Sequence, residues 1–135
     1  MVMGASATTV ELTEANFEET VKKGGILFVD LWAQWCPPCR AFAPVFEAAA
    51  QKHTDIMFGK VNTDEQPGLA RLFEVQAIPT LAVFREGILL FAEAGAIPGK
   101  ALEALIEKVR ELDMEQLRKD VEEIKKREAT GGEPK

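Results

Sequence analysis

The run Ile26-Leu27-Phe28-Val29-Asp30-Leu31-Trp32-Ala33 is almost unbroken in its apolar character, and Gln34-Trp35-Cys36-Pro37-Pro38-Cys39 follows it at once. A run that short and that apolar predicts a strand buried on both faces, which requires cover on both sides of a sheet. Next, Ala41 to Lys52 is alanine-rich and carries Phe42, Val45, Phe46 and Ala49 at helical spacing, so a helix is expected there, kinked at Pro44. Both cysteines of the chain therefore fall at a strand-to-helix junction.

The remaining elements alternate. Thr13 can cap a first helix bearing Phe17 and Val21 and ended by Gly24-Gly25. Ile56 to Val61 predicts a second strand, and Pro67 to Phe73 a short helix. Thr80 to Phe84 and Ile88 to Ala92 flank Arg85-Glu86-Gly87, a hairpin signal with glycine in the turn. A helix from about Gly99 carries Leu102, Leu105, Ile106, Val109 and Leu112. This order implies an α/β fold: a mixed central β-sheet of four to five strands flanked by helices, parallel in the middle and antiparallel at one edge.

Past Leu112 the character changes. Asp113-Met114-Glu115-Gln116 has the form of a capping box and opens a further amphipathic helix over 113–128, with Met114, Leu117, Val121 and Ile124 as its apolar positions. These positions either pack on the chain's own domain or form a homodimer or partner contact through residues 114–124. The expected organisation is a flexible N-terminus over 1–8, one domain over 9–112, the extra helix, and a disordered tail over 129–135.

Composition narrows the function classes. At 135 residues, 47% hydrophobic and 28% charged, the chain suits one globular domain. A net charge of −6 argues against a general nucleic-acid binder, which needs a basic surface. No apolar stretch reaches the ~18 residues of a membrane span. Met1 to Thr9 has neither the basic start nor the apolar core of a secretory signal, so a cytoplasmic protein is expected.

Two cysteines make no disulfide framework, and in such a protein a thiol pair is more often catalytic or metal-binding. A zinc or iron–sulfur site normally wants four ligands. The chain offers two thiols and one imidazole, His53, so a metal would have to be shared between two chains. His53 itself, amid Gln51-Lys52-His53-Thr54, is expected at a solvated helix end with no role. Redox exchange fits the cysteines better. Cys36 at a helix N-terminus meets unpaired N–H groups and the positive end of the helix dipole, which favour a thiolate, the nucleophile of disulfide exchange. Cys39, one turn on, is within bonding reach and can resolve the mixed disulfide. No cofactor beyond this dithiol is called for. Pro38 suits the first helical position and Pro37 removes a further donor. The helix should then begin after Pro37, with the N–H groups of Cys39 and Arg40 facing the sulfur. Asp30, in the middle of the apolar strand, should hold its proton to higher pH, which suits acid–base work near neutrality.

Taken together, these motifs resemble the thioredoxin family. Val29-Asp30-Leu31-Trp32-Ala33 and Trp35-Cys36-Pro37-Pro38-Cys39 are similar to its Val-Asp-Phe-Trp-Ala strand and Trp-Cys-Gly-Pro-Cys motif. Ile78-Pro79-Thr80 is similar to its cis-proline loop, Pro44 to its helix proline, Gly95-Ala96 to its last loop, and Lys60-Val61-Asn62-Thr63-Asp64 to a strand end. The match runs in order from about Thr9 to Arg110. It departs at Pro37, where the family has glycine, and beyond Leu112. Cys-Pro-Pro-Cys also resembles the tryparedoxin and nucleoredoxin branches, though the compact remainder looks more like thioredoxin. The resemblance implies a general protein-disulfide reductase that is re-reduced by a flavin-type thioredoxin reductase or another dithiol donor. An oxidase or isomerase, or a non-catalytic binding or chaperone module, is the alternative. It further implies that Asp30 lies under the cysteines and takes the Cys39 proton, with Lys60 either tuning it or standing as an exposed strand lysine. Pro79 would pair main chain with an extended substrate and keep metals off the thiols. Trp35, Pro37, Pro38, Ile78, Gly95 and Ala96 would complete the surface that meets protein substrates.

Overall fold

The computed structural model describes residues 8–129. Its five strands are β1 (Val10–Glu11), β2 (Ile26–Trp32), β3 (Met57–Asn62), β4 (Thr80–Arg85) and β5 (Ile88–Ala94). The helices are α1 (Phe17–Lys22), α2 (Pro37–Lys52), α3 (Pro67–Leu72), α4 (Gly99–Arg110) and α5 (Met114–Ala129). Contacts divide the chain into two compact units with the boundary between Glu103 and Ala104.

In the first unit the strands form one sheet in the order β1-β3-β2-β4-β5. β1 and β2 run parallel to β3, while β4 and β5 complete the sheet antiparallel, the mixed arrangement that the element order implies. β2 lies at the centre, and Leu27 to Leu31 are all buried, as a run apolar on both faces requires. Alternation sends Leu27, Val29 and Leu31 to one face, where they join Leu12, Phe17 of α1 and Leu69 of α3. On that side the Phe17 ring meets Phe73 and Phe84 edge-on, with centroids 5.6 and 5.9 Å away. The opposite face carries Phe28, Asp30 and Trp32. There Phe28 stacks on Phe58 at 5.5 Å, and Phe46 of α2 meets Phe58 at 5.3 Å, so α2 is the helix that covers Asp30's side of the sheet.

β1 has no counterpart in the sequence reading. It is two exposed residues long and is a strand only because Val10 and Glu11 pair with Gly59 and Lys60. Leu12 then crosses directly over Gly59, where any Cβ would run into the leucine side chain. Thr8 lies within the N-terminal segment expected to be flexible, yet its hydroxyl and that of Thr9 donate to the two oxygens of Glu47 on α2. The first helix starts later than Thr13. Thr13 and Asn16 exchange side-chain-to-backbone hydrogen bonds, and regular helix follows from Phe17. α2 continues through Pro44 as one helix.

In the second unit Asp113 caps α5 by accepting from the Gln116 N–H at 3.1 Å. The reciprocal half of the box is missing, because the Gln116 amide donates instead to Asp120. Met114 is buried, Leu117 and Val121 are half-buried and Ile124 is exposed. α5 includes Ala129, and the rest of the expected tail lies outside the described residues. Among the described residues no helix is long and apolar enough to cross a membrane.

Candidate active site

The site is built where β2 hands over to α2. Thr63 clasps the end of the strand, its N–H and hydroxyl both donating to the Trp32 carbonyl at 2.8 and 3.1 Å. The loop that follows is held by Arg40, whose guanidinium donates to the Gln34 carbonyl at 2.8 Å. Cys36 precedes a proline and so takes an extended backbone (φ −97°, ψ 108°), which makes it the N-cap of α2. Pro37 and Pro38 occupy the first two helical positions, not only Pro38 and not beginning after Pro37 as the sequence suggested. The helix loses nothing by this, because neither position has an intrahelical acceptor for an N–H.

The proline pair has a chemical consequence. It removes two of the free donors that a helix start normally presents, leaving the Cys39 N–H to donate to Cys36 Sγ at 3.2 Å. The Arg40 N–H does not face the sulfur as expected. It closes the first helical turn on the Cys36 carbonyl at 3.1 Å. The two cysteines are joined as a disulfide with Cα atoms 5.2 Å apart. Both are 2% exposed, packed with Ala33, Trp32 and Ile78.

Asp30 is 1% exposed, and neither carboxylate oxygen has a hydrogen-bond partner among the described residues. Burial therefore pushes its pKa up to about 7, a rise that the positive charge of Lys60 partly opposes. Lys60 is paired with Asp30 in register across β2 and β3, so both side chains leave the sheet on the α2 face. It is buried rather than an exposed strand lysine, and its ammonium sits 5.1 Å from the centroid of the Trp32 ring. Trp32, Cys39, Arg40 and Lys60 line one cleft of about 520 Å³, so the Cys39 end of the dithiol borders open space next to these charges.

On the other side of the disulfide the Ile78–Pro79 peptide bond is cis. The Ile78 carbonyl oxygen lies 3.6 Å from Cys36 Sγ. Behind it, the Pro79 carbonyl accepts from the Gly95 N–H at 2.8 Å, and the Thr80 hydroxyl donates to the Ala77 carbonyl at 2.6 Å. The structure thus brings Ile78 against the cysteines, with Pro79 next in the chain and Gly95 bonded behind it. Ala96 is exposed just beyond. Trp35 is 65% exposed, its indole N–H donating to Asp64 at 3.0 Å. Trp35, Pro37, Pro38 and Ile78 line a groove of about 520 Å³ that opens onto Cys36. Thr63, Ala70, Val75, Gln76 and Ala77 complete it, and none of these was foreseen. They come from three separate segments and carry no local chemical signal; only Ile78-Pro79, beside Ala77, marked the neighbourhood.

His53 departs from expectation. It is buried as the C-cap of α2, with Nε2 2.7 Å from Glu103 Oε1 on α4. Hydrogen bonding to His53, aided by the charges of His53 and Lys52, holds the Glu103 carboxyl below its usual range against a smaller opposing effect of burial. It stands at the opposite end of α2 from the cysteines, about 20 Å away at 1.5 Å per helical residue, so one chain cannot gather all three in a single metal site.

A disulfide at the N-terminus of the helix that covers Asp30's face of the sheet, beside a cis-proline loop, defines the class of thiol–disulfide oxidoreductases. Comparison with known proteins narrows it. The family model for thioredoxin matches residues 8–108. A Streptomyces coelicolor protein assigned as thioredoxin 2 is 47% identical over 116 residues, covering 86% of this chain and 87% of the relative. Thioredoxin 1 of Synechococcus elongatus is 39% identical over 99 residues, covering 72% and 92%. Among solved structures, a Plasmodium falciparum thioredoxin superposes with a TM-score of 0.69 at 31% identity, covering 74% of this chain and 98% of that one. The chain belongs to the thioredoxin family. It is a protein-disulfide reductase acting through a cysteine pair on disulfide-bearing proteins, and the oxidase and binding-module alternatives are not favoured.

Proposed function

We propose that Cys36 is the attacking thiol and Cys39 the resolving one, with Asp30 as the proton acceptor beneath them. The observation that carries this reading is the Cys39 N–H donating to Cys36 Sγ at an N-cap. The helix end favours the Cys36 thiolate, and it is Cys36 that lines the groove of Trp35, Pro37, Pro38 and Ile78, while Cys39 lines the separate cleft beside Lys60. In the reduced protein the Cys36 thiolate attacks one sulfur of a substrate disulfide, forming a mixed disulfide and expelling the other sulfur as a thiolate. Cys39 then loses its proton to Asp30 and attacks Cys36 Sγ. The substrate leaves fully reduced, and the pair closes to the disulfide seen here. A carboxyl with a pKa near 7 is matched to this transfer at neutral pH. Lys60 keeps that pKa from rising further.

Substrate main chain would lie along the groove, with Trp35, Pro37, Pro38 and Ile78 as its apolar walls and Pro79, Gly95 and Ala96 at its end. With two helix-end donors deleted, the thiolate gains little stabilisation, so the reduced form is a strong reductant. Its electrons would come from a flavin reductase or another dithiol donor. Such a couple works where the thiol pool is reducing, which supports a cytoplasmic location. Insulin precipitation driven by dithiothreitol tests the roles. Cys36→Ser should abolish it. Cys39→Ser should instead accumulate a mixed disulfide with insulin, and trapping on Cys39 in the Cys36→Ser variant would reverse the assignment.

A further inference from the structure

The groove beside Cys36 does not stop at α3. A second hollow of about 560 Å³, lined by Ala70, Arg71, Glu74, Val75 and Gln76, shares Ala70, Val75 and Gln76 with it. The two form one trough, apolar at the cysteine and ionic at its far end. Glu74 holds an unusual backbone there. α3 ends in a Schellman turn, with the Val75 N–H bonded to the Ala70 carbonyl and the Glu74 N–H to the Arg71 carbonyl, both at 3.0 Å. Glu74 is the left-handed residue of that turn at φ 52°, a conformation glycine adopts at no steric cost. A charged side chain is thus kept where the turn favours none, and outliers of this kind concentrate at binding sites. Among the described residues the Glu74 carboxylate has no side-chain hydrogen bond or ion pair.

We propose that Glu74 is a specificity-determining residue, selecting disulfide-bearing proteins with a cationic residue near the reacting cysteine. This rests on the reading of the Cys36 groove as the substrate's seat. Continuity of the trough supplies the path. An extended chain rising ~3.3 Å per residue would bring a side chain about two to four residues from the cysteine to Glu74. Charge supplies the sign. Asp64 stands beside Trp35, bonded to the indole, and Glu74 lines the far hollow, which it shares with the cation Arg71. Arg71 rises on a long flexible stem, whereas the short stem of Glu74 leaves a backbone fixed by two hydrogen bonds.

The test uses the full chain, reduced with dithiothreitol and then freed of it, and mixed with excess peptide. Each peptide carries one internal disulfide, and matched peptides differ only in Lys or Glu at two, three or four residues from the cysteine. The peptide disulfide takes up two electrons and two protons as the Cys36–Cys39 dithiol becomes a disulfide, and acid-quenched thiol labelling gives the rate. At low ionic strength the best-placed Lys peptide should react about two- to fivefold faster than its Glu twin at subsaturating concentration, the range of one exposed ion pair. The preference should vanish at high salt and in Glu74→Gln, and persist in Arg71→Gln. Glu74→Gly should lose it while raising the thermal midpoint, which separates the charge from the backbone. Equal rates for every Lys and Glu pair, or a preference that survives Glu74→Gln, would overturn the inference while leaving the groove reading intact. Failure of all peptides to oxidise the dithiol would overturn both.

Discussion

Replacing Asp30 with asparagine keeps the shape of the side chain and removes its charge. The folded protein raises this pKa from 3.8 to about 7. Between those values the native state holds a proton that the unfolded chain has released, so stability falls as pH rises, by ~1.4 kcal/mol per unit. Below pH 3.8 the group contributes no difference, and above pH 7 the whole penalty, ~4 kcal/mol, is in place. Both the protonated acid and the amide are buried without partners, so their desolvation largely cancels in a comparison. The oxidised wild type should therefore lose ~2–3 kcal/mol relative to Asp30→Asn between pH 5 and pH 8.5. Urea denaturation of both proteins across that range measures the difference. Parallel profiles would show that Asp30 ionises in the ordinary carboxylate range and would remove the physical basis for its role as proton acceptor.

Three further outcomes follow from the same geometry. Lys60→Gln removes the charge that lowers the Asp30 pKa, so the midpoint of that stability profile should move to higher pH; a downward move would mean that Lys60 does not face the carboxyl. Pro38→Ala restores a donor at the second helical position, from which an N-cap side chain can accept. One charge-assisted hydrogen bond of ~1.4 kcal/mol to the thiolate should raise the reduction potential by roughly 30 mV, read by equilibration with dithiothreitol, and an unchanged or lower value would count against the donor argument. Glu103 has a lowered pKa, so its contribution is present above its ordinary value of 4.5 and lost as pH falls through the folded one. Glu103→Gln should lower the thermal midpoint at pH 7 and leave it unchanged near pH 3; a similar loss at both pH values would point to packing alone.

What could be read from the chain depended on how local its cause was. β2 was legible because a strand buried on both faces must be apolar throughout, and Asp30 stood out against that background as a charge in the wrong place. The cysteine pair was legible because the spacing itself is the chemistry. α2 starts one residue earlier than expected, since neither of its first two N–H groups would have an intrahelical acceptor and a proline at each position costs nothing. β1 was invisible because Val10 and Glu11 become a strand only beside Gly59 and Lys60. His53 and Trp35 needed partners 50 and 29 residues away, Glu103 and Asp64, which no window around either one contains. Glu74 was hidden for the opposite reason. Its turn announces itself locally through glycine, and this chain has none there.

The central claim is that the Cys36–Cys39 pair is a reducing couple, and its reduction potential tests that most directly. Purified protein would be equilibrated in graded dithiothreitol buffers and its free thiols counted. With one backbone N–H left to stabilise the Cys36 thiolate, the expected value is at or below about −270 mV, the reference value for thioredoxin. A value near −180 mV, in the range of protein disulfide isomerase, would make the pair an oxidant and contradict the account.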